Sequence, residues 1–129
     1  MSVQSIMAIG PVIPVVIIEN IDDAIPLADA LIEGGIGTIE ITLRSAVALN
    51  AIALISQERP DLTIGAGTVL NPLQMRAVQE AGADFVVSPG AYPELLKSAR
   101  DGGAVFLPGA TTASEMMLLL ANGLTAMKF

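Results

Sequence analysis

Four segments of the sequence share one junction, in which a helical pattern ends at a small residue and glycine and a strand pattern follows at once. The segments are EGGIGTIEI, EAGADFVVS, DGGAVFLP and ANGLTAMKF, and Gly82, Gly102 and Gly123 recur every 20 or 21 residues. Glycine at a helix C-terminus supplies the left-handed conformation that turns the chain back toward a strand. The repeated junction therefore predicts a series of strand-helix units.

The hydrophobic pattern predicts six strands that alternate with five helices. We expect strands over 12–18, 38–43, 62–67, 84–88, 104–108 and 124–129, and helices over 21–33, 46–58, 72–81, 92–101 and 113–121. Pro26 lies inside the first of these helices, where it is expected to shift or kink the helix.

Polar residues stand at the predicted helix starts with the spacing of N-caps. Asn71 precedes a proline, and Thr112 is followed three residues later by Glu115, which is the spacing of a capping box. Asn20 and Ser45 are the expected caps of two more helices.

Strands that alternate with helices in this way indicate an α/β fold with a parallel sheet and right-handed crossovers. The sheet is either doubly wound or closed as a (β/α)8 TIM barrel. A barrel needs at least ~200 residues, whereas this chain has 129. On the barrel interpretation, residues 1–129 are the N-terminal portion of a single domain, with about five βα units plus the sixth strand, and the C-terminal part is missing.

Composition excludes several functional classes. Thirteen acidic residues against six basic ones give a net charge of -7, and no Lys/Arg cluster is available to neutralise a nucleic-acid backbone. The apolar stretch 6–18 is short and contains two prolines, so we expect neither a signal peptide nor a membrane span. We therefore predict a soluble, cytoplasmic protein that binds no nucleic acid and no membrane.

The sequence contains neither histidine nor cysteine. A Ser-His or Cys-His catalytic unit is therefore impossible, and a zinc site would have only carboxylate ligands, which suit zinc poorly. One chemistry that remains is a partly desolvated lysine amine that attacks a ketone while a carboxylate moves protons. Burial lowers a lysine's pKa and so frees the neutral amine that this attack requires.

Two predicted strands place polar residues where a barrel interior would hold apolar ones. Alternation in TIEITLR puts Glu40 and Arg44 on the face opposite Ile39 and Ile41, and in the last strand Lys128 is an inward candidate near the C-terminal mouth. Barrel active sites are built at that mouth.

Each of these residues also has a purely structural interpretation. Lys128 at a strand end can be a solvated side chain, and Glu40 with Arg44 can be a structural ion pair. The GAGT segment that ends at Thr68 forms either a tight turn or a phosphate-binding loop.

With those residues placed, the sequence resembles the 2-keto-3-deoxy-6-phosphogluconate (KDPG) and 4-hydroxy-2-oxoglutarate (KHG) aldolase family. The matching segments are GPVIPVV, GGIGTIEITLR, GAGTVLNP, EAGADFVVSPG, LPGATTASE and the closing MKF. The resemblance implies a class I aldolase on an eight-stranded barrel, which acts on a small 2-keto acid, needs no metal or other cofactor, and is usually a homotrimer.

The resemblance also implies site residues. Lys128 resembles the Schiff-base lysine, Glu40 the acid/base residue, and Arg44 the group that binds the substrate carboxylate. Thr68 resembles a further contact on the pyruvate side, and Pro89 a residue of the pocket wall. The family continues beyond its MKF segment through two more strands, so the phosphate-binding residues are expected outside this chain.

Two other functions are compatible with the sequence. One is a non-catalytic barrel fragment or assembly module, because six strands of an eightfold barrel leave two open edges that can pair with another chain. The other is a phosphosugar-binding barrel such as an isomerase, in which Lys128 forms an ion pair and never an imine.

Overall fold

Five parallel strands form one sheet in the same order in which they occur along the chain. They are β1 (Val15–Val16), β2 (Thr38–Thr42), β3 (Thr63–Gly67), β4 (Phe85–Ser88) and β5 (Phe106–Pro108) in a computed structural model that describes all of residues 1–129. A doubly wound sheet reverses its strand order at a switch point, and this sheet does not. The prediction of a parallel α/β fold that forms part of a barrel is confirmed.

Helices connect the strands as the glycine junctions predict. They are α1 (Val3–Met7), a 3-10 helix (Ile21–Asp23), α2 (Ala24–Glu33), α3 (Ala48–Glu58), α4 (Pro72–Glu80), α5 (Pro93–Asp101) and α6 (Ala113–Ala121). The sequence pattern did not predict α1. Because α2 begins at Ala24, Pro26 lies in its first turn, where a backbone N–H would have no helical partner in any case.

The helix caps agree with the sequence at three of four positions. The side chains of Asn20, Asn71 and Thr112 each accept a backbone hydrogen bond at the start of a helix, and Thr112 forms a full capping box with Glu115. The prediction for Ser45 is wrong, because its hydroxyl donates instead to the carbonyl oxygen of Ile18 at 2.5 Å. The helix that follows begins three residues later without a side-chain cap.

Both ends of the predicted sheet are shorter than expected. The strand expected over 12–18 is reduced to Val15–Val16. The sixth strand, expected over 124–129, is reduced to one parallel bridge between Gly109 and Lys128. Two backbone hydrogen bonds flank the bridge, from Lys128 N to Pro108 O at 2.9 Å and from Ala110 N to Lys128 O at 3.0 Å. The segment that contains the lysine therefore lies beside β5, as the order of a barrel requires.

Apolar side chains form two separate cores on the two faces of the sheet. The larger core lies between the sheet and the helices and contains Ile39 and Ile41 of β2 together with Ile52 and Ile55 of α3. The smaller core lies on the inner face, where Ile6 of α1 packs with Phe85 and Val87 of β4. A cavity lies beside this core at the carboxyl ends of the strands and is lined in part by Val87.

Candidate active site

Glu40 is a buried carboxylate on the inner face of the sheet. Its neighbours along β2, Ile39 and Ile41, point into the core beneath the helices, so alternation turns Glu40 to the other face. Its side chain is only 6% exposed. A carboxylate that is buried so far needs a charged or hydrogen-bonding partner, because burial of an isolated charge is costly.

Lys128 supplies that partner. Its Nζ lies 3.3 Å from Oε2 and 3.4 Å from Oε1 of Glu40, although the two residues are 88 positions apart in the sequence. The bridge to Gly109 sets the position of the lysine backbone. The lysine side chain is 45% exposed, so the amine is less desolvated in this chain than the sequence argument expected, since it lies at the rim of an open cavity.

All five residues predicted for the site line one cavity of about 270 Å³. They are Glu40, Arg44, Thr68, Pro89 and Lys128. They come from the ends of β2, β3 and β4 and from the segment beside β5, and carboxyl ends of parallel strands meet at one edge of a sheet. The roles assigned to these residues stay predictions; their common location is a property of the fold.

Arg44 lies two residues beyond the end of β2 and has no carboxylate within 4.0 Å. The interpretation of Glu40 and Arg44 as a structural ion pair is therefore wrong. The guanidinium lines the cavity as a cation without an anionic partner. Its planar donors can bind a carboxylate through two parallel hydrogen bonds.

The GAGT segment is neither a turn nor a phosphate loop. Gly65 and Gly67 belong to β3 and pair in register with Glu40 and Thr42 of β2. Thr68 follows directly and has φ +60°, the only positive φ outside glycine. A β-branched residue rarely adopts this conformation, and such strain concentrates at functional sites. Thr68 lines the cavity immediately after the strand.

The wall that contains Pro89 is held by residues that the sequence analysis did not select. The Ser88 hydroxyl donates to the carbonyl oxygen of Gly90 at 2.5 Å, and Gly109 N donates to Ser88 O at 2.8 Å. A side chain at position 109 would lie 2.3 Å from the carbonyl oxygen of Pro89. Ser88 and Gly109 lie in the VSPG and LPGATT segments, which resemble the aldolase family. That resemblance could have identified both residues as part of the site.

The N-terminus of α6 also reaches the cavity through Thr111, but the backbone N–H groups of Thr111 and Thr112 are already occupied. The Glu115 carboxylate accepts from the backbone N–H groups of Thr111 and Thr112 at 2.9 and 2.8 Å. These backbone hydrogen bonds, with those of both threonine hydroxyls, lower the pKa of Glu115 to about 2. A substrate anion would have to displace this carboxylate to use the same donors.

No group of three or more acidic side chains is arranged so that it could hold a metal ion. None of the helices combines the length and the apolar character that crossing a membrane requires.

Comparison with known proteins identifies relatives along the whole chain. The family model for KDPG and KHG aldolase matches residues 3–129. The KHG/KDPG aldolase of Escherichia coli (strain K12) is 46% identical over 128 residues, and the 2-dehydro-3-deoxy-phosphogluconate aldolase of Dickeya dadantii (strain 3937) is 47% identical over 128 residues. Each alignment covers 99% of this chain and 60% of the relative.

A solved structure agrees in both fold and sequence. The crystal structure of KDPG aldolase from Legionella pneumophila, with pyruvate captured at low pH as a covalent carbinolamine intermediate, superposes with a TM-score of 0.94 at 44% identity. The superposition covers 97% of this chain and 61% of that one. This chain thus spans about 60% of the length of the curated relatives that it matches. On the match of residues 3–129 and these identities, the chain belongs to the KDPG and KHG aldolase family.

Proposed function

We propose that the full-length protein is a class I aldolase that forms a Schiff base on Lys128 and cleaves KDPG to pyruvate and glyceraldehyde 3-phosphate. 4-Hydroxy-2-oxoglutarate, cleaved to pyruvate and glyoxylate, is the proposed second substrate. The single observation that supports this function best is the 3.3 Å contact between Lys128 Nζ and the buried carboxylate of Glu40. Family membership and the pyruvate carbinolamine in the Legionella relative support the same chemistry.

The reaction begins when the Lys128 ammonium releases a proton to the Glu40 carboxylate, which lies within reach of it. The neutral amine attacks the C2 ketone and forms a carbinolamine. Glu40 then donates its proton to the carbinolamine hydroxyl, which leaves as water. A protonated imine remains. This iminium withdraws electrons from C3, so the substrate itself supplies the electron sink and no metal ion or other cofactor is required.

Cleavage then needs a base at the C4 hydroxyl. Glu40 takes the hydroxyl proton, directly or through a water molecule, and the C3–C4 bond breaks as the C4 oxygen becomes an aldehyde. The electron pair of that bond moves to C3 and forms an enamine. Protonation of C3 and hydrolysis of the imine release pyruvate and restore the Lys128 amine. One carboxylate can serve every proton transfer because it lies beside the reacting nitrogen.

Three further side chains have proposed binding roles. Arg44 binds the substrate carboxylate, since its guanidinium lines the cavity without an anionic partner. Thr68 contacts the pyruvate end of the substrate, and Pro89 forms part of the pocket wall. With the substrate carboxylate on Arg44, the adjacent C2 ketone would lie in the cavity that Lys128 also lines, and such positioning of two reacting groups favours attack.

Borohydride trapping tests the proposal directly. Residues 1–129 contain two lysines, Lys97 and Lys128, and peptide mapping assigns an adduct to either of them or to a lysine elsewhere in the full-length protein. Reduction of the full-length protein with borohydride in the presence of pyruvate is expected to attach one stable adduct to Lys128. Lys97→Arg should keep the adduct and Lys128→Arg should abolish it. An intact-mass spectrum without adduct on folded protein would contradict the aldolase proposal and favour the isomerase alternative, in which the Lys128–Glu40 pair remains ionic.

We propose further that residues 1–129 form part of a single (β/α)8 domain and that the full-length protein is a homotrimer of the cytoplasm. The sequence resemblance to the family supports these proposals. Sedimentation equilibrium of the full-length protein tests the trimer, and a monomeric mass across micromolar concentrations would contradict it.

A further inference from the structure

We infer that Gly67 positions the Glu40 carboxylate, because the side chain that Gly67 lacks would occupy the space in which that carboxylate lies. The inference rests on the proposed function, in which Glu40 moves protons at the substrate. It adds a positioning residue on β3, a strand that contributes no acid, base or nucleophile of its own to the site.

A side chain at position 67 would collide with the side chain of Glu40. A Cβ atom at position 67 would lie 2.1 Å from Oε1 of Glu40, 2.9 Å from its Cδ and 3.0 Å from its Cγ. Carbon and oxygen atoms that are not bonded do not approach below about 3 Å, since contact distances in proteins are about 3.5–4.0 Å. Any residue other than glycine at position 67 therefore requires the carboxylate to move.

The backbone at Gly67 gives no other reason for glycine. Its φ is not among the positive values in the chain, and the left-handed residue is the following one, Thr68. Gly67 is paired within a parallel strand, where glycine weakens the strand and often marks a place that something approaches closely. Here the group that approaches is the carboxylate of Glu40.

A displaced Glu40 carboxylate would no longer lie at its present distance from the Lys128 amine. The Glu40 side chain is 6% exposed, and its contact with Nζ is already 3.3 Å long, so a further shift of the carboxylate weakens that contact. Relief of the collision requires Oε1 to shift by about 1 Å. A shift of this size in a reacting group lowers rates by about 100-fold.

Gly65, two residues earlier on the same strand, provides a matched control. A Cβ at that position would lie 2.2 Å from Cζ of Phe85, so its space holds an apolar ring and no charged group. Although the Gly65 backbone pairs in register with Glu40, alanine at position 65 is expected to collide with Phe85 in the inner core and not with the Glu40 side chain.

A double-mutant cycle in the full-length protein separates a positioning role from a general structural one. Gly67→Ala is expected to lower kcat for KDPG about 100-fold with little change in KM, and to preserve the final yield of the borohydride adduct on Lys128. In a Glu40→Gln background, Gly67→Ala should cause little further loss of kcat, because the group that it displaces has already been disabled. Equal losses in both backgrounds, or an unchanged kcat in Gly67→Ala, would overturn the inference.

Thermal unfolding provides a second readout that depends neither on turnover nor on adduct formation. Glu40→Ala empties the space beside position 67, so Gly67→Ala should lower the Tm in the wild type but scarcely in the Glu40→Ala background. Gly65→Ala should lower the Tm equally in both. An equal drop in Tm for Gly67→Ala in both backgrounds would show that Gly67 does not position the carboxylate.

A missing borohydride adduct in the wild type would instead contradict the proposed aldolase activity, whatever the result of the unfolding cycle.

Discussion

Lys128 Nζ and Glu40 Oε2 lie 3.3 Å apart across the inner face of the sheet. Glu40 is on β2 and Lys128 lies beside β5, so the contact between them depends on the curvature of the whole sheet. No contact between neighbours in the sequence produces it. The side chain of the glutamate is 6% exposed and that of the lysine 45%. The glutamate side chain is therefore nearly enclosed, whereas the lysine side chain is partly exposed at the cavity.

Glu40→Gln is expected to reduce kcat for KDPG by 10²–10⁴-fold, the range typical for loss of a general acid or base. The amide keeps the size of the side chain but cannot take the proton from the C4 hydroxyl or from the lysine ammonium. Steady-state turnover and the rate of borohydride trapping measure the two steps. Glu80→Gln, on an exposed part of α4, is the matched control. Turnover that stays at the wild-type rate would place the proton transfer on another group.

Arg44→Lys is expected to raise KM for KDPG at least 10-fold with a smaller effect on kcat. A lysine ammonium retains the charge but cannot form the two parallel hydrogen bonds that a guanidinium makes to a carboxylate. Stability should not change, because Arg44 forms no ion pair in the structure. Arg76→Lys on the exposed side of α4 is the control. A KM equal to that of the wild type would remove Arg44 from the carboxylate site.

Glu115→Gln is expected to lower the urea midpoint at neutral pH by removing a charged cap at the start of α6. The pKa of Glu115 is lowered from 4.5 to about 2, so the folded state binds its proton less readily than the unfolded state does. The stabilisation is thus present above pH 4.5 and is lost as the pH falls from about 4.5 to about 2. Glutamine keeps a side-chain oxygen that can accept from the same donors, so the part of the difference that changes with pH reports the charge.

Urea titrations of the wild type and Glu115→Gln between pH 7 and pH 2 measure this effect. The two midpoints should converge as the pH falls through that window. Glu19→Gln serves as the control, because Glu19 is exposed and has no ion pair. A gap between the midpoints that is constant with pH would show that the carboxylate charge contributes nothing.

Phe85→Ala is expected to destabilise the fold by about 3–5 kcal/mol, the usual cost of removing a buried aromatic ring. Phe85 is 2% exposed and packs with Ile6 and Val87 in the inner core. The space left beside Gly65 cannot be filled by the neighbouring backbone. Leu73→Ala, at a side chain that is 69% exposed, should change the free energy of unfolding by less than about 0.5 kcal/mol. Chemical denaturation measures both, and similar values for the two variants would contradict this account of the core.

The order and type of the main elements were predictable from the sequence because their signals are local. Glycine at a helix end, a capping box at Thr112 and Glu115, and alternation along β2 each depend on a few neighbouring residues. The same alternation predicted that Glu40 faces away from Ile39 and Ile41. The resemblance of short segments to a known family then supplied the five site residues that the fold brings to one cavity.

Local signals failed where a distant partner decides the conformation. Serine is a common N-cap residue, but the hydroxyl of Ser45 donates its hydrogen bond to the carbonyl oxygen of Ile18. The GAGT segment has the composition of a turn, but pairing with β2 and β4 keeps Gly65 and Gly67 in a strand. The short helix α1 was missed because only one of its residues, Ile6, is buried, and that burial depends on β4.

The chain's own pattern of glycines, caps and alternating residues was sufficient to establish the parallel α/β architecture and the inward direction of Glu40, since backbone geometry sets these features residue by residue. Only the folded sheet decides that Glu40 contacts Lys128 and that its carboxylate lies against Gly67. The folded sheet also decides that Arg44 forms no ion pair. Those relationships depend on distances of a few ångströms between strands. Such distances follow from how the strands curve and pack together, which no single segment encodes.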